Sequence, residues 1–376
     1  SYGSRGLGDV YKRQEIERRL KEELDIPVMH DDQHGTAIIS GAALLNGLEV
    51  VEKPIEKVKV VISGAGASAI SCARHYLRLG VDPSNLFMCD SKGLLTKKRG
   101  DKGELNEYKM QFAQDLPNNT LGELMKDADV FLGLSKGGVV DKEMVASMAE
   151  RPLIFALANP DPEILPEEVR EVRSDAVIAT GRSDYPNQIN NVLGFPYIFR
   201  GALDVRATSI TEGMKMAATR ALSKLAKETV PDDVLEAYDG VRIQYGPDYL
   251  IPKPFDARVL IWEASAVAEA AVNEGVARIP EGSFNIQDYR EELESRLGLT
   301  RSVMRSVINR AKLNPKRIVF SEGEDPTIIK AAAHCAQEGI CHPILLGQLK
   351  RIRGAIVDLG LDLDCISLAQ TAHGVA

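Results

Sequence analysis

Residues 58–77 read VKVVISGAGASAISCARHYL, and this stretch decides the fold. The β-branched run at 58–63 predicts a buried strand, and the apolar spacing after Ala69 predicts a helix. Between them lies Gly64-Ala-Gly-Ala-Ser-Ala69, a GxGxxA turn that brings backbone amides and the positive end of a helix dipole to one point. A strand, a glycine turn and a helix in this order predict the first unit of a dinucleotide-binding domain.

Further strands are predicted downstream of this unit, separated by helical stretches. Near-continuous apolar strands of this kind are typical of a parallel sheet covered on both faces. The fold class is therefore predicted as α/β, a doubly wound Rossmann-type parallel sheet with flanking helices. The strands are expected at 86–90, 129–135, 153–160 and 176–181, and flanking helices at Ser209–Thr229 and Asp256–Val276.

A second α/β domain is expected to start near the C-terminal end. The polar segment 277–285 has the composition of an interdomain linker. Helical spacing then resumes and is followed by a strand, a helix and a strand. These elements are predicted at Gln287–Arg296, Thr300–Lys312, Arg317–Ser321, Pro326–Gly339 and Pro343–Leu346.

Composition excludes several classes of protein. The 376 residues carry a formal charge of −8 and a pI near 5.5, which argues against nucleic-acid or anionic-membrane partners. The five cysteines are scattered and form no CxxC pair, so we expect neither a disulfide scaffold nor a zinc site. We also expect a cytoplasmic location, where thiols stay reduced. No apolar run approaches the ~18–20 residues of a membrane helix.

The glycine turn and Asp90 together predict a dinucleotide site. Asp90 ends the second predicted strand 26 residues after Gly64, where a carboxylate accepts from a ribose hydroxyl. The alternative is a tight βα turn in which Asp90 only caps the next loop. The predicted cofactor contacts are Gly64, Ala65, Gly66, Ala67, Ser68, Asp90 and Lys92. Lys92, Lys97, Lys98 and Arg99 offer charge for a 2′-phosphate, which favours NADP over NAD, although such loops are also commonly only solvated.

Residues 28–37, VMHDDQHGTA, predict a metal site. Asp31 or Asp32 can cap the helix that follows, which is the commoner use of such residues. Two adjacent carboxylates repel each other, however, and a cation relieves that repulsion. Mg²⁺ or Mn²⁺ would need further oxygen ligands from elsewhere in the protein.

Five motifs resemble, in order, those of the bacterial malic enzymes. They are HDDQHGTA at 30–37, GAGASA at 64–69, DSKGLL at 90–95, ALANPDPE at 156–163 and ATGRSDYPNQINNVLGFPYIFRGAL at 179–203. The segment SEGEDPTIIKAA at 321–332 resembles the phosphotransacetylase-like domain found at the C-terminus of the long, multidomain form. The resemblance implies divalent-metal-dependent oxidative decarboxylation of L-malate to pyruvate and CO₂ with reduction of NAD(P)⁺.

The resemblance also implies roles for individual residues. Asp32 matches the metal-ligating aspartate, and Asp31 matches the neighbour that supports the reacting groups. Asn159 matches the asparagine near nicotinamide and substrate, while Asn190 and Asn191 match the pair that binds the substrate carboxylate. On residue type alone, Asn159-Pro160 is a turn after a strand and the asparagine pair is a helix cap.

The sequence departs from the family pattern upstream of residue 28. The family's acid tyrosine, base lysine and Glu-Asp metal pair have no counterpart there, and Tyr2, Tyr11 and Lys12 lie in a segment that resembles a non-native leader. We therefore expect this chain to bind dinucleotide but not to turn over malate unaided. Two alternatives remain: a dinucleotide-binding or regulatory module without catalysis, and a metal-independent Rossmann dehydrogenase.

The predicted domains follow from these observations. They are a leader at 1–14, the end of the malic enzyme N-domain with its metal loop at 15–56, an NAD(P)-binding domain at 57–280 and a partial phosphotransacetylase-like domain at 281–376. The resemblance further implies a homo-oligomer and, in the intact enzyme, acetyl-CoA as effector.

Overall fold

The computed structural model describes residues 7–231, 234–235, 238, 243–359 and 367–370. The chain divides into two compact units, Ser1–Leu293 and Glu294–Ala376. The division falls inside a helix, later in the chain than the domain boundary expected from the linker composition.

The first unit is built on a six-stranded sheet. Strand β1 pairs with β2 on one side and β4 on the other, and Val60 lies opposite both Leu86 and Val130. The order is β3-β2-β1-β4-β5-β6, with all strands parallel except the edge strand β3. The strands are β1 Val60–Ser63, β2 Leu86–Asp90, β3 Gly93–Leu94, β4 Val130–Gly133, β5 Leu153–Ala156 and β6 Val177–Thr180. The predicted Rossmann-type sheet is confirmed, and its strand order reverses between β1 and β4, where such sheets open a crevice.

Helices cover both faces of this sheet. They are α1 Leu7–Glu23, α2 Asp31–Val50, α3 Ala67–Leu79, α4 Lys97–Asp101, α5 Glu107–Met110, α6 Leu121–Met125, α7 Lys142–Ala146, α8 Pro166–Val172, α9 Phe195–Asp204, α10 Glu212–Leu225 and α11 Arg258–Asn273. Val60 and Ile62 pack with α2, α3, α10 and α11 on one face, while Val61 packs with α6, α7 and α8 on the other. The alternation follows from the two-residue period of a strand.

Small residues allow α2 to lie close to its neighbours. A Cβ at Gly41 would lie 2.8 Å from a ring carbon of His75 on α3, and one at Gly47 would lie 2.9 Å from Leu153 on β5. Most of α2 is buried, which explains why its sequence is apolar on nearly every side.

The structure differs from expectation at three helix boundaries. Helix α1 begins at Leu7 rather than near Glu15. Helix α2 has His30 at its N-cap, so Asp31 and Asp32 lie in its first turn and do not cap it. Helix α12, Ile286–Leu313, is continuous where two helices were expected, because nothing between them, neither proline nor a glycine with positive φ, interrupts the backbone.

The second unit contains a three-stranded parallel sheet in the order β7-β8-β9. Its elements are β7 Lys316–Phe320, α13 Pro326–Gln337, β8 Cys341–Gly347, α14 Leu349–Asp358 and β9 Ser367–Gln370. Ile329, Leu345 and Ile352 form the centre of its core. The predicted strand, helix and strand are confirmed as the start of a second α/β fold.

In the described part of the chain, no helix is both long and apolar enough to cross a bilayer. Cys72, Cys89, Cys335 and Cys341 are free thiols, and Cys365 lies outside the described residues.

Candidate functional site

The glycine turn forms a sharp bend at the end of β1. Gly64 has φ +119°, and a Cβ there would lie 2.6 Å from the carbonyl oxygen of Leu134. Only glycine adopts this conformation without strain. Helix α3 then starts at Ala67 with Gly66 as its N-cap, and a Cβ on Gly66 would meet nothing within 4 Å in the described structure. The turn therefore presents an uncovered helix N-terminus, the feature that binds phosphate groups.

A groove of about 680 Å³ lies beside this turn, at the carboxyl ends of β1, β2 and β4. Ser63 and Ser135 meet across the strand ends, with their hydroxyl oxygens 3.0 Å apart. The groove is lined by Ser63, Gly64, Cys89, Asp90, Ser91, Lys92, Gly93, Asn118, Asn119, Thr120, Leu121, Ser135, Lys136 and Val139. Three of the predicted cofactor residues, Gly64, Asp90 and Lys92, thus share one groove at the switch point of the sheet.

Asp90 already has protein partners. Its Oδ1 accepts from the Lys92 amide at 2.9 Å, and its Oδ2 accepts from Arg99 Nη2 at 2.9 Å and from Lys109 Nζ at 3.4 Å. Burial raises the pKa of Asp90, but the hydrogen bonds from Arg99 and the Lys92 amide outweigh it and the pKa is lowered. The carboxylate is therefore held ionised, and its charge is balanced before any ligand arrives.

The basic loop divides into buried and exposed groups. Arg99 is buried and also donates to the carbonyl oxygens of Gly93 and Leu94, so its guanidinium is committed to the protein. The side chain of Lys92 is 68% exposed and lies at the groove. Lys109 was missed by sequence reasoning, since it lies 19 residues from Asp90 and no motif marks it.

The acidic turn opens α2. Asp31 Oδ1 is buried and, within the described residues, lacks a hydrogen-bond partner, whereas Asp32 is exposed. Burial raises the pKa of Asp31, and repulsion by Asp32 adds to this against a hydrogen bond from Asn191. Carboxylate oxygens are what Mg²⁺ and Mn²⁺ prefer, but no group of three or more acidic, His or Cys side chains converges anywhere in the described chain. The residues present fit part of a cation site.

The asparagine pair lies at this acidic turn. Asn191 Nδ2 donates to the Asp31 carbonyl oxygen at 3.4 Å, and Asn191 Oδ1 accepts from Thr36 Oγ1 at 3.1 Å. Asn190 instead caps a short 3₁₀ helix, accepting from the Val192 amide at 3.1 Å. Asn191 therefore contacts the acidic turn directly, while Asn190 shapes the loop that carries Asn191.

One hydrogen bond links the acidic turn to the glycine turn. Ser68 Oγ donates to the carbonyl oxygen of Asp32 at 2.5 Å. Ser68 was predicted as a cofactor contact, and its hydroxyl proton is used here within the protein. Asn159 follows β5 at the same edge of the sheet, with its side chain 3.2 Å from the position of a Cβ on Gly181. The structure thus brings Asp32, Ser68 and Asn191 to the start of α2. Asn159 lies at the carboxyl end of β5, at the same edge of the sheet as the glycine turn.

A buried ionic network, which the sequence did not reveal, supports α2. Glu17 Oε1 accepts from the His30 amide at 3.2 Å, from His34 Nε2 at 2.9 Å and from Lys21 Nζ at 2.7 Å. Burial raises the pKa of Glu17, but the hydrogen bonds with His34 and Lys21 outweigh burial and lower the pKa to about 2. On the other side of the ring, Lys215 Nζ donates to His34 Nδ1 at 3.0 Å. Glu17 thus supplies the acceptor that caps α2.

Two family models match this chain, one in each of the two compact units. Residues 33–239 match the family described as "Malic enzyme, NAD binding domain". Residues 302–374 match the family described as "Phosphate acetyl/butaryl transferase". The first match covers more than half of the chain; it begins directly after Asp32 and includes the glycine turn and the asparagine pair.

Individual relatives agree with this match. The chain is 49% identical over 349 residues to the NADP-dependent malic enzyme of Rhizobium meliloti, covering 93% of this chain and 45% of that protein. It is 47% identical over 364 residues to the NAD-dependent malic enzyme of the same organism, covering 96% and 47%. The crystal structure of Entamoeba histolytica malic enzyme superposes with a TM-score of 0.69 at 32% identity, covering 92% of this chain and 64% of that one. The chain spans about half the length of the curated relatives it matches.

Proposed function

The chain belongs to the malic enzyme family, and from that premise we propose that this protein takes part in the oxidative decarboxylation of L-malate to pyruvate and CO₂ with reduction of NADP⁺. The observation that carries the proposal is the hydrogen bond from Ser68 to the Asp32 carbonyl oxygen. It joins a carboxylate pair to the helix N-terminus that suits a pyrophosphate. Hydride transfer from a metal-chelated hydroxy acid to nicotinamide needs these two sites side by side.

The residues at and near the acidic turn would each have a different role in the reaction. Asp32, the exposed carboxylate, would be a ligand of Mg²⁺ or Mn²⁺, and that cation would polarise the substrate hydroxyl and stabilise the enolate left by decarboxylation. Asp31, which is half-buried next to Asp32, would support this centre. Asn191, held by Thr36, and Asn190 would orient the substrate carboxylate, and Asn159 would contact substrate and nicotinamide.

NADP⁺ is the favoured cofactor for an electrostatic reason. Arg99 and Lys109 balance the charge of Asp90, so a 2′-phosphate near this carboxylate meets less repulsion than at an unpaired aspartate. Lys92 adds an exposed ammonium group at the same groove. Gly64, Ala65, Gly66 and Ala67 would contact the pyrophosphate through their backbone.

The assembly, location, regulation and domain bounds of the protein are proposed from its family membership and not from the geometry of the site. A homo-oligomeric assembly, a cytoplasmic location and regulation by acetyl-CoA are proposed from family membership. The match of residues 302–374 to an acyltransferase family supports an acyl-CoA effector for the intact enzyme. The domain bounds 15–56, 57–280 and 281–376 are also proposed from the family matches.

Calorimetry tests the dinucleotide site on the chain as it stands. We expect saturable binding of NADP⁺, tighter than that of NAD⁺, and a changed ratio of the two affinities in Asp90→Ala. Gly66→Ala should weaken both ligands, since its Cβ would enter the space that the pyrophosphate needs. If the chain bound neither NADP⁺ nor NAD⁺, the proposed dinucleotide site would be refuted.

Turnover is tested by following NADPH formation from L-malate and Mn²⁺. The family pattern requires an acid, a base and two further metal ligands upstream of Asp31, so we expect NADPH only when the corresponding segment of the Rhizobium meliloti relative is fused to the chain. Asp32→Asn in that fusion should abolish NADPH formation and leave NADP⁺ binding in place. Activity that persisted in the presence of a chelator would point instead to a metal-independent dehydrogenase.

A second candidate function is a dinucleotide-binding module without catalysis. It would need only the glycine turn and the groove beside it, which the described residues form without the acidic turn. A fusion that bound NADP⁺ and malate yet formed no NADPH would support this candidate.

A further inference from the structure

Glu163 is a buried carboxylate that no role assigned above accounts for. It closes the segment ALANPDPE and is 0% exposed. Its Oε1 accepts from the Ser135 amide at 2.9 Å and from Ser135 Oγ at 3.3 Å. Its Oε2 accepts from the Ala158 amide at 3.1 Å. One carboxylate thus holds the loops that follow two neighbouring strands, β4 and β5.

The position of this carboxylate is fixed on several sides. The Val140 amide donates to the Glu163 carbonyl oxygen at 3.1 Å, which anchors its backbone. Gly133 ends β4 directly beneath the side chain, and a Cβ there would lie 2.3 Å from Glu163 Cδ. The carboxylate therefore has little freedom to leave its three donors.

Both loops held by Glu163 face the proposed ligands. Ser135 lines the groove and meets Ser63 at the switch point. Ala158 immediately precedes Asn159. We propose that Glu163 is a positioning residue for dinucleotide binding: through Ser135 it fixes one wall of the groove, and through the Ala158 amide it fixes the backbone that presents Asn159. The proposal rests on the proposed dinucleotide site.

The donors around Glu163 suit an ionised carboxylate, because each of the three needs an acceptor oxygen. The groups that contact the carboxylate are uncharged, namely the Ser135 and Ala158 donors and the Gly133 backbone. Burial raises the pKa of Glu163, against hydrogen bonds from these donors that lower it. Protonation of Glu163 as pH falls replaces an acceptor oxygen by a hydroxyl, which cannot accept from the same N–H donor, and so breaks part of the arrangement. Dinucleotide affinity should therefore depend on the ionisation of Glu163.

Isothermal calorimetry of NADP⁺ with the full chain tests this, comparing the wild type with Glu163→Gln across pH. Glutamine keeps the volume but must turn an NH₂ group toward an N–H donor. We expect affinity about tenfold weaker at pH 8, the effect of roughly one lost hydrogen bond. We also expect the wild-type affinity to fall toward acid pH and that of the variant to change less. Comparing the two proteins with the same ligand cancels the titration of NADP⁺ itself.

Glu171→Gln is the matched control, because Glu171 is exposed and pairs only with Lys142 in the described structure. It should bind NADP⁺ like the wild type at every pH. Equal affinities and parallel pH profiles for the wild type and Glu163→Gln would overturn the inference while leaving the proposed function intact. A wild-type chain that bound no dinucleotide would overturn both.

Ser135→Ala covers the case in which Glu163→Gln does not fold. It removes one of the three donors at the groove wall and leaves the buried carboxylate in place. We expect about threefold weaker binding and a shifted pH profile. Unchanged affinity together with an unchanged profile would contradict the positioning role.

Discussion

Replacing Glu263 by glutamine should remove a pH-dependent loss of stability from the first unit. Glu263 lies on α11, is 0% exposed, and neither carboxylate oxygen has a hydrogen-bond partner in the described structure. It lies behind the asparagine loop, with Oε1 3.7 Å from the position of a Cβ on Gly194. Burial raises the pKa of Glu263 well above the usual 4.5.

The sign follows from proton uptake. Above pH 4.5 the unfolded chain has released this proton, whereas the folded chain still holds it. The contribution of Glu263 to the free energy of unfolding is therefore fully present below pH 4.5. It is lost as pH rises, at up to about 1.4 kcal/mol per pH unit, until pH passes the raised pKa. For each pH unit within that window, the wild type should lose up to about 1.4 kcal/mol relative to Glu263→Gln, which has no proton to release.

Urea unfolding at pH 5.5, 6.5 and 7.5 measures this difference. Trp262 is the chain's one tryptophan and neighbours Glu263, so its fluorescence reports on the first unit. Glu269→Gln, an exposed site on the same helix, is the control and should follow the wild type. Stability curves of the wild type and Glu263→Gln that run parallel across this range would refute the reasoning.

Three further predictions concern the site. Gly64→Ala should cost about 1–3 kcal/mol in thermal unfolding and abolish dinucleotide binding, because φ is +119° there; Gly66→Ala should leave the unfolding temperature nearly unchanged while weakening binding in calorimetry. Glu17 has a pKa held at about 2, so its contribution is present above pH 4.5 and lost as pH falls toward 2; in acid titrations followed by circular dichroism, Glu17→Gln should lose less stability than the wild type, and equal losses would contradict the capping role. Arg99→Gln should weaken NADP⁺ about tenfold more than NAD⁺, since Asp90 then repels the 2′-phosphate; an unchanged ratio would exclude that electrostatic argument.

Local patterns predicted the framework of the first unit well. The run LFMCD at 86–90 gave β2 with its observed bounds, and 58–63 contained β1, because buried parallel strands need contiguous apolar residues. Strand β3 was not predicted, since two residues, Gly93 and Leu94, carry no periodicity. The break expected between residues 296 and 300 does not occur, because Gly298 has no positive φ and the helix continues through it.

The site was predictable only where chemistry follows a motif. The glycine turn and the acidic turn stand out because their residue types are needed at fixed spacing. The partners that set their electrostatics do not: Arg99 and Lys109 reach Asp90 from separate short helices, and Glu17 reaches α2 from 13 residues upstream. Such contacts arise from tertiary packing, which single-sequence spacing does not encode.

The hydrogen bond from Ser68 to the Asp32 carbonyl has a consequence for how the two proposed ligands would affect each other's affinity. Because the start of α3 and the start of α2 share this bond, a ligand that shifts one helix end by a fraction of an ångström also strains or relaxes the other. Binding linkage is reciprocal, so whatever affinity a dinucleotide adds for the cation, the cation adds for the dinucleotide. Under the proposed function, a single serine hydroxyl would couple the cation site and the dinucleotide site by direct contact.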